Sequence, residues 1–190
     1  MRIALSGFTG CGNTTVTQLL SKKLGYPYYN YTLTDLSKEM GLTLIELHEL
    51  AKQTTEYDLL LDKKQIQFML DNENAIDGTR LAVFIPIMAP KLDMKLPKID
   101  FYFWLTARQN IRAERVAKRN NVSYDEALKE IQYRDSENKH RYYDLYGIEF
   151  KQPDYCTVID TEKYDAEGVA DKIISIIKPT FFAGKSLTKK

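Results

Sequence analysis

The chain has 190 residues, 44% of them hydrophobic and 28% charged, and 27 Lys and Arg residues nearly balance 26 Asp and Glu residues, for a net charge of +1. This composition excludes a disordered chain, and the near neutrality excludes a protein that coats nucleic acid polymers or membranes through bulk charge. Two cysteines are too few for a disulfide framework or a zinc site. The sequence shows neither a leader nor an apolar run of the roughly 18 residues that a membrane span needs. We therefore expect one domain in the reducing cytoplasm.

The predicted elements alternate between strand and helix along the chain. Short apolar or aromatic runs predict five strands, at residues 2–6, 26–31, 74–77, 99–105 and 157–160. Helical spacing of apolar residues predicts helices at 14–24, at 33–71 in two or three pieces, and at 107–120, 123–146 and 167–178. The connection 81–97 stays unassigned, and residues 180–190 are expected to form a flexible tail. The alternation predicts an α/β fold with a parallel sheet of about five strands and helices on both faces.

The loop after the first strand carries the most informative motif. Residues 7–14, Gly-Phe-Thr-Gly-Cys-Gly-Asn-Thr, fit the phosphate-loop pattern G-x-x-x-x-G-K-[ST] except at Asn13, where the pattern has lysine. Backbone N–H groups of such a loop form an anion nest, and the following helix adds its positive end. The Thr14 hydroxyl is placed to bind Mg²⁺, whereas Asn13 lacks the point charge that assists phosphoryl transfer. The alternative, a glycine-rich turn that merely joins strand to helix, is less favoured by this position.

A second loop follows the strand at 74–77 and reads Asp77-Gly78-Thr79-Arg80. The Asp77 carboxylate is placed to hold Mg²⁺ through water, and Arg80 is placed to bind a phosphate with both guanidinium nitrogens. An Asp-Gly pair is also a common turn. In a parallel sheet, however, this loop lies at the same edge as the phosphate loop, which favours the functional interpretation.

The arginines are clustered. Six of the eight lie between residues 108 and 141, and they are Arg108, Arg112, Arg115, Arg119, Arg134 and Arg141. The first four share one helix face and the last two share a face of the next helix. Guanidinium groups stack on bases and bind phosphates, so we expect at least three of them to contact a nucleoside triphosphate. The alternative is a solvated face paired with the interleaved acids Glu114, Asp135 and Glu137.

The motifs occur in the order found in archaeal-type cytidylate kinases, a group of nucleoside monophosphate kinases, which the chain resembles over residues 1–176. The resemblance rests on the phosphate loop, Asp58-x-x-x-Asp62-x-x-Gln65, Asp77-Gly78, and the runs 112–119, 123–128 and 134–148. It implies a single three-layer P-loop kinase domain, 1–190, with a helical acceptor-binding subdomain at 33–72 and a lid at 120–150. It also implies transfer of the ATP γ-phosphoryl group to CMP or dCMP with Mg²⁺.

The resemblance implies roles for individual residues. For ATP binding they are Gly7, Thr9, Gly10, Cys11, Gly12, Asn13, Thr14, Thr15, Arg115 and Arg119. Arg134, Arg141 and Arg80 would stabilise the transferring phosphoryl group, and Thr14 and Asp77 would hold the metal. The acceptor would meet Asp58, Asp62 and Gln65. The family's acceptor-helix arginine is absent from residues 32–38, so Lys38 or Arg80, or else Lys63 or Lys64, takes its place.

Two alternatives to a cytidylate kinase stay open. One is a diverged nucleotide-binding protein, a sensor or interaction module, with weak or no kinase activity. The other is a P-loop kinase with another small acceptor. Retention of Arg134 and Arg141 at matched spacing favours an active enzyme. The expected partners are ATP and a nucleoside monophosphate, with no nucleic acid polymer and no membrane, and the expected state is a monomer or homodimer.

Overall fold

The computed structural model describes residues 1–185, without the side chains of His48 and of residues 179–185. The strands are β1 (Arg2–Gly7), β2 (Ala75–Asp77), β3 (Phe101–Thr106) and β4 (Thr157–Asp160). The helices are α1 (Asn13–Leu24), α2 (Leu33–Glu39), α3 (Leu44–Ala51), α4 (Glu56–Asp71), α5 (Ile85–Lys91), α6 (Gln109–Asn120), α7 (Tyr124–Tyr146) and α8 (Ala166–Lys185). Among these helices, none combines the length and apolarity required to cross a membrane.

The sheet is parallel, with the strand order β2-β1-β3-β4. Ile3 of β1 pairs with Ile76 on one side and with Phe101 on the other. β1 is buried along nearly its whole length because helices cover both faces of the sheet, which explains its unbroken apolar run. Since all strands are parallel, the loops after β1, β2, β3 and β4 meet at one edge, where ligands of such folds bind.

The predicted second strand at 26–31 is wrong, and within residues 1–185 the sheet has four strands instead of about five. This segment makes only an isolated bridge between Tyr28 and Ile76. Pro27 offers a carbonyl to the Ile76 N–H but has no N–H of its own, and β2 is only three residues long. A regular ladder therefore cannot extend along this edge.

Two apolar cores lie on the two faces of the sheet and complete the three layers. One contains Trp104 and Phe150 and includes the unassigned connection, which folds into a 3₁₀ turn (Ala82–Phe84) and α5. The other contains Leu5 and Phe103 packed against α1 and α8. Helix α8 runs to Lys185, while residues 186–190 of the expected flexible tail lie outside the described residues.

Candidate active site

A cleft of about 1230 Å³ opens at the carboxyl edge of the sheet. The phosphate loop and the start of α1 line one side of it, α6 and α7 another, and α4 with residues 28–33 a third. The predicted site residues in its lining are Gly7, Thr9, Gly10, Cys11, Gly12, Asn13, Thr14, Thr15, Asp58, Asp62, Gln65, Arg80, Arg115, Arg119, Arg134 and Arg141. Asp77 and Lys38 do not line the cleft. The fold thus gathers residues that are up to 134 positions apart in the sequence.

The phosphate loop ends at Gly12, which caps α1 without a side chain, so no side chain occupies the first N–H groups of the helix. These groups and the positive end of the helix are suited to bind phosphate oxygens. Asn13 Nδ2 donates to the Gly7 carbonyl at 3.2 Å, and its Oδ1 is buried with no partner among the described residues. Cys11 is buried, and burial raises the pKa of its thiol to about 11, which suits a space-filling residue and not a nucleophile.

Asp77 lies beneath the cleft and is fully buried. Its Oδ2 accepts a hydrogen bond from Gln65 Nε2 at 2.6 Å, and its Oδ1 accepts one from the Thr79 N–H at 2.9 Å. Burial raises the pKa of Asp77 to about 6, against the opposing effect of these donors. Gly78 is required here because a Cβ atom at this position would collide with the Thr17 hydroxyl of α1.

The residues present fit a Mg²⁺ ion that arrives bound to the nucleotide phosphates better than an ion held by the protein alone. Thr14 is exposed at the start of α1 and lines the cleft. Asp77, the second predicted metal residue, directs its carboxylate to Gln65 and Thr79. Among the side chains that the structure describes, no group of three or more His, Cys, Asp or Glu residues is arranged to hold a metal ion. Mg²⁺ in phosphotransferases is typically held by few protein ligands together with the substrate phosphates.

The clustered arginines divide into two sets. Four line the cleft: Arg115, Arg119, Arg134 and Arg141. Arg115 donates to the Thr161 hydroxyl at 2.8 Å and to its carbonyl at 2.7 Å. The other two are ion-paired outside the cleft lining: Arg108 is exposed beside Glu162, and Arg112 is buried beside Asp135. Arg108 thus lies on a solvated face, although its partner is not one of the interleaved acids, and Arg112 fits neither interpretation because it is buried.

Arg80 and the lid arginines have different partners. Arg80 Nη2 lies 3.4 Å from the Thr9 hydroxyl of the phosphate loop. Arg134 Nη1 pairs with Glu130 one turn earlier on α7 at 3.0 Å. Arg141 forms an ion pair with Asp58 of α4, across the cleft. The last contact joins the predicted lid to the predicted acceptor subdomain.

The wall of the cleft that α4 forms is acidic. Asp58 and Asp62 lie one turn apart on α4, and the Tyr146 hydroxyl donates to Asp62 Oδ2 at 2.6 Å. Burial raises the pKa of Asp62 to about 7, although the hydrogen bond from Tyr146 acts in the opposite direction. A carboxyl group with this pKa is available both as a hydrogen-bond acceptor and, when protonated, as a donor.

Two further residues, which were not predicted as site residues from the sequence, line the cleft. Asn138 lies between Arg134 and Arg141 on the same face of α7, and its Nδ2 is buried with no partner among the described residues. Thr161 follows β4 and receives both hydrogen bonds from Arg115. The i, i+4, i+7 spacing with the arginines was the available signal for Asn138, and the position after a strand was the signal for Thr161.

The chain is similar to known proteins over most of its length. The model of a family described as an AAA domain matches residues 3–140. The cytidylate kinase of Methanocaldococcus jannaschii is 33% identical over 180 residues, which cover 93% of this chain and 97% of that protein. The cytidylate kinase of Pyrococcus abyssi is 35% identical over 170 residues, 88% of each chain.

A solved structure supports the fold. Shikimate kinase from Acinetobacter baumannii superposes with a TM-score of 0.59 at 16% identity, covering 94% of this chain and 93% of that one. At this identity the likeness concerns the architecture alone: a parallel sheet with helices on both faces and a ligand edge at the strand ends.

Proposed function

The chain belongs to the cytidylate kinase family, and from that premise we propose that it transfers the γ-phosphoryl group of ATP to a nucleoside monophosphate, with CMP and dCMP as the favoured acceptors. One observation carries the proposal. A phosphate loop, five arginines and two acceptor-facing carboxylates line the same cleft, on opposite sides. A nucleotide-binding module without catalysis needs the loop but not the arginines that project toward the transfer region.

The donor side binds ATP. The loop amides and the first turn of α1 bind its phosphates, and we assign contacts with adenine and phosphates to Arg115 and Arg119, which line the cleft. Mg²⁺ bound with ATP supplies charge neutralisation between the phosphates. We assign Thr14 as the protein ligand of this ion, while Asp77 keeps Gln65 and Thr79 in position from below.

Phosphoryl transfer needs no covalent enzyme intermediate. An oxygen of the acceptor's α-phosphate attacks the γ-phosphorus in line, a new P–O bond forms, and the bond to the β,γ-bridging oxygen breaks to release ADP. Arg80, Arg134 and Arg141 stabilise the negative charge on the equatorial and leaving oxygens. Closure of residues 120–150 over the cleft excludes water and so suppresses hydrolysis of ATP.

The acidic wall supplies base selectivity. Cytosine presents an exocyclic amino donor where uracil presents a carbonyl acceptor, and Asp or Glu side chains accept from that amino group. Asp58 and Asp62 therefore favour CMP over UMP. Lys38 lies outside the lining, so the acceptor phosphate is assigned to Arg80.

A coupled assay with ATP and Mg²⁺ tests the proposal. CMP, dCMP, UMP, AMP, GMP and dTMP are supplied in turn to the wild-type protein and to Asn13→Lys. We expect turnover with CMP or dCMP in the wild type, and an unchanged order of acceptors in the variant because residue 13 lies on the donor side. Tight ATP binding without turnover of any monophosphate would overturn the proposal in favour of a nucleotide sensor. If no monophosphate is phosphorylated but a different small acceptor is, the protein is a P-loop kinase of another specificity.

A further inference from the structure

The phosphate loop is held from behind by an ion pair that the proposed mechanism does not use. Arg112 of α6 and Asp135 of α7 are both buried, with Nη1 and Oδ2 2.6 Å apart. Arg112 Nη1 also donates to the Thr9 carbonyl at 2.9 Å, and Asp135 Oδ1 accepts from the Thr9 N–H at 3.0 Å. The pair thus occupies both backbone polar groups of one loop residue.

The loop and α6 are also in close backbone contact. Gly10 has a φ of 85°, and a Cβ atom there would lie 2.8 Å from the Arg112 carbonyl oxygen. The backbone of the loop therefore rests directly on the turn of α6 that carries Arg112. Two independent contacts, one polar and one steric, join the same pair of segments.

The other half of the pair belongs to the helix of the lid. Asp135 directly follows Arg134 on α7, and Asn138 and Arg141 lie on the same helix and line the cleft. Any shift of the Asp135 carboxylate relative to Thr9 consequently moves α7 relative to the loop. A displacement of about 1 Å at a reacting group lowers rates by about 10²-fold.

We infer that Arg112 and Asp135 are positioning residues, which lock the phosphate loop and the lid helix into one unit. The loop lacks the lysine of the usual pattern, and Asn13 contributes only one long hydrogen bond to Gly7. Because the two buried charges neutralise one another, the pair shapes the loop without adding net charge to the phosphate site. This inference rests on the proposed function, since the lid arginines matter only for phosphoryl transfer.

The test uses Asp135→Asn and Arg112→Lys, with Arg108→Lys and Glu162→Gln as matched controls in the pair that exposed Arg108 forms with partly buried Glu162 at the start of the same helix. Asp135→Asn is expected to lower kcat about 10²-fold and to raise the KM for ATP, with the KM for CMP unchanged. Arg112→Lys is expected to lower kcat about tenfold, because both contacts are made by Nη1, and a lysine Nζ lies one bond closer to the backbone and reaches Thr9 and Asp135 less well. The control variants should retain wild-type constants.

A double variant separates positioning from simple stabilisation. Replacing a buried ion pair by apolar residues of similar volume is often neutral for stability. Arg112→Met with Asp135→Leu also leaves the Thr9 N–H and carbonyl without these partners, so we expect a folded protein with a lower urea midpoint than the wild type, and a kcat that is about 10²-fold low when measured well below that midpoint. Recovery of wild-type kcat in this variant, or a wild-type kcat and ATP KM in Asp135→Asn, would overturn the inference. If both Asp135 variants fail to fold, a wild-type kcat in Arg112→Lys overturns it and a selective loss supports it.

Calorimetry with ATP alone distinguishes failure of the inference from failure of the proposed function. Asp135→Asn should weaken ATP binding about tenfold relative to Glu162→Gln, whatever the acceptor is. Equal affinities in the two variants contradict the positioning role. Absence of turnover in the wild type contradicts the proposed function and leaves the binding comparison valid.

Discussion

The two regions to which we assign the donor and the acceptor nucleotide differ sharply in charge. Residues 80–151 carry 14 Lys and Arg against ten Asp and Glu, whereas residues 33–79 carry four lysines, no arginine and ten acidic residues. The fold places these regions on opposite sides of one cleft. A nucleoside triphosphate needs clustered cations, and discrimination of a base needs hydrogen-bond acceptors, so the net charge of +1 averages two opposite requirements.

The two regions meet through contacts between residues to which we assign roles in binding and phosphoryl transfer. Arg141 of the lid helix pairs with Asp58, and Tyr146 of the same helix donates to Asp62. The carboxylates assigned to the acceptor are therefore already partnered by α7. This teaches that α7 serves both regions: its middle is fixed to the phosphate loop through Asp135, and its C-terminal part contacts α4 through Arg141 and Tyr146.

The largest expected effect comes from the lid arginines. Arg134→Ala and Arg141→Ala should each lower kcat about 10³-fold, because each removes a guanidinium that stabilises the transferring phosphoryl group. Only Arg141→Ala should also change the KM for CMP, since Arg141 contacts Asp58. Steady-state kinetics measures both effects, and Arg108→Ala, an exposed arginine outside the cleft, is the control. A wild-type kcat in Arg134→Ala would show that the lid assignment is wrong.

The acceptor carboxylates come next. Asp58→Asn and Asp62→Asn should raise the KM for CMP by about 10- to 100-fold and reduce the preference for CMP over UMP, with the KM for ATP unchanged. Asp71→Asn serves as the control because Asp71 ends the same helix outside the cleft and binds Gln67. An equal increase in the two nucleotide KM values would remove the distinction between the regions.

The junction between the regions is sensitive to a single methyl group. Gly78→Ala should lower the free energy of unfolding by about 1–3 kcal/mol, because its Cβ atom collides with the buried Thr17 hydroxyl. Urea denaturation measures the loss. In a Thr17→Ala background the same substitution should cost less, because the hydroxyl is gone, but the cost should not vanish since the Cβ atom of residue 17 stays 2.8 Å from the added methyl group. An undiminished cost there would locate the strain elsewhere.

The smallest expected effect is a pH dependence on the acceptor side. The pKa of Asp62 is raised to about 7 in the folded protein, so the folded state binds this proton more tightly than the unfolded state does. Stability from Asp62 is present at low pH and is lost as pH rises toward 7. Urea midpoints between pH 5 and 7.5 should fall more steeply for the wild type than for Asp62→Asn. Tyr146→Phe, which removes a donor to the ionised form, should extend the fall to higher pH, and parallel curves for all three proteins would contradict the assignment.

Much of the site followed from local patterns. The phosphate loop is a contiguous motif, and α6 and α7 follow from helical spacing, so Gly7, Thr14, Arg115 and Arg134 were predicted before any tertiary contact was known. The acceptor carboxylates came from the family resemblance, not from spacing. Lys38 was also predicted, yet it lies on an exposed part of α2 outside the cleft lining. Its position depends on how α2 packs, which no local pattern specifies.

The sequence by itself determined the alternation of strands and helices, the phosphate loop, the family and the separation of charge between residues 33–79 and 80–151. The tertiary structure alone decided that residues 26–31 form a single bridge and that Asp77 lies beneath the cleft. It also decided that Arg112 is buried while Arg115 lines the cleft. The physical reason is the range of the interactions. A helical repeat fixes which side chains share a face, but Arg108 and the three arginines of α6 are spread over about 16 Å along the helix axis, and distant segments decide which are covered.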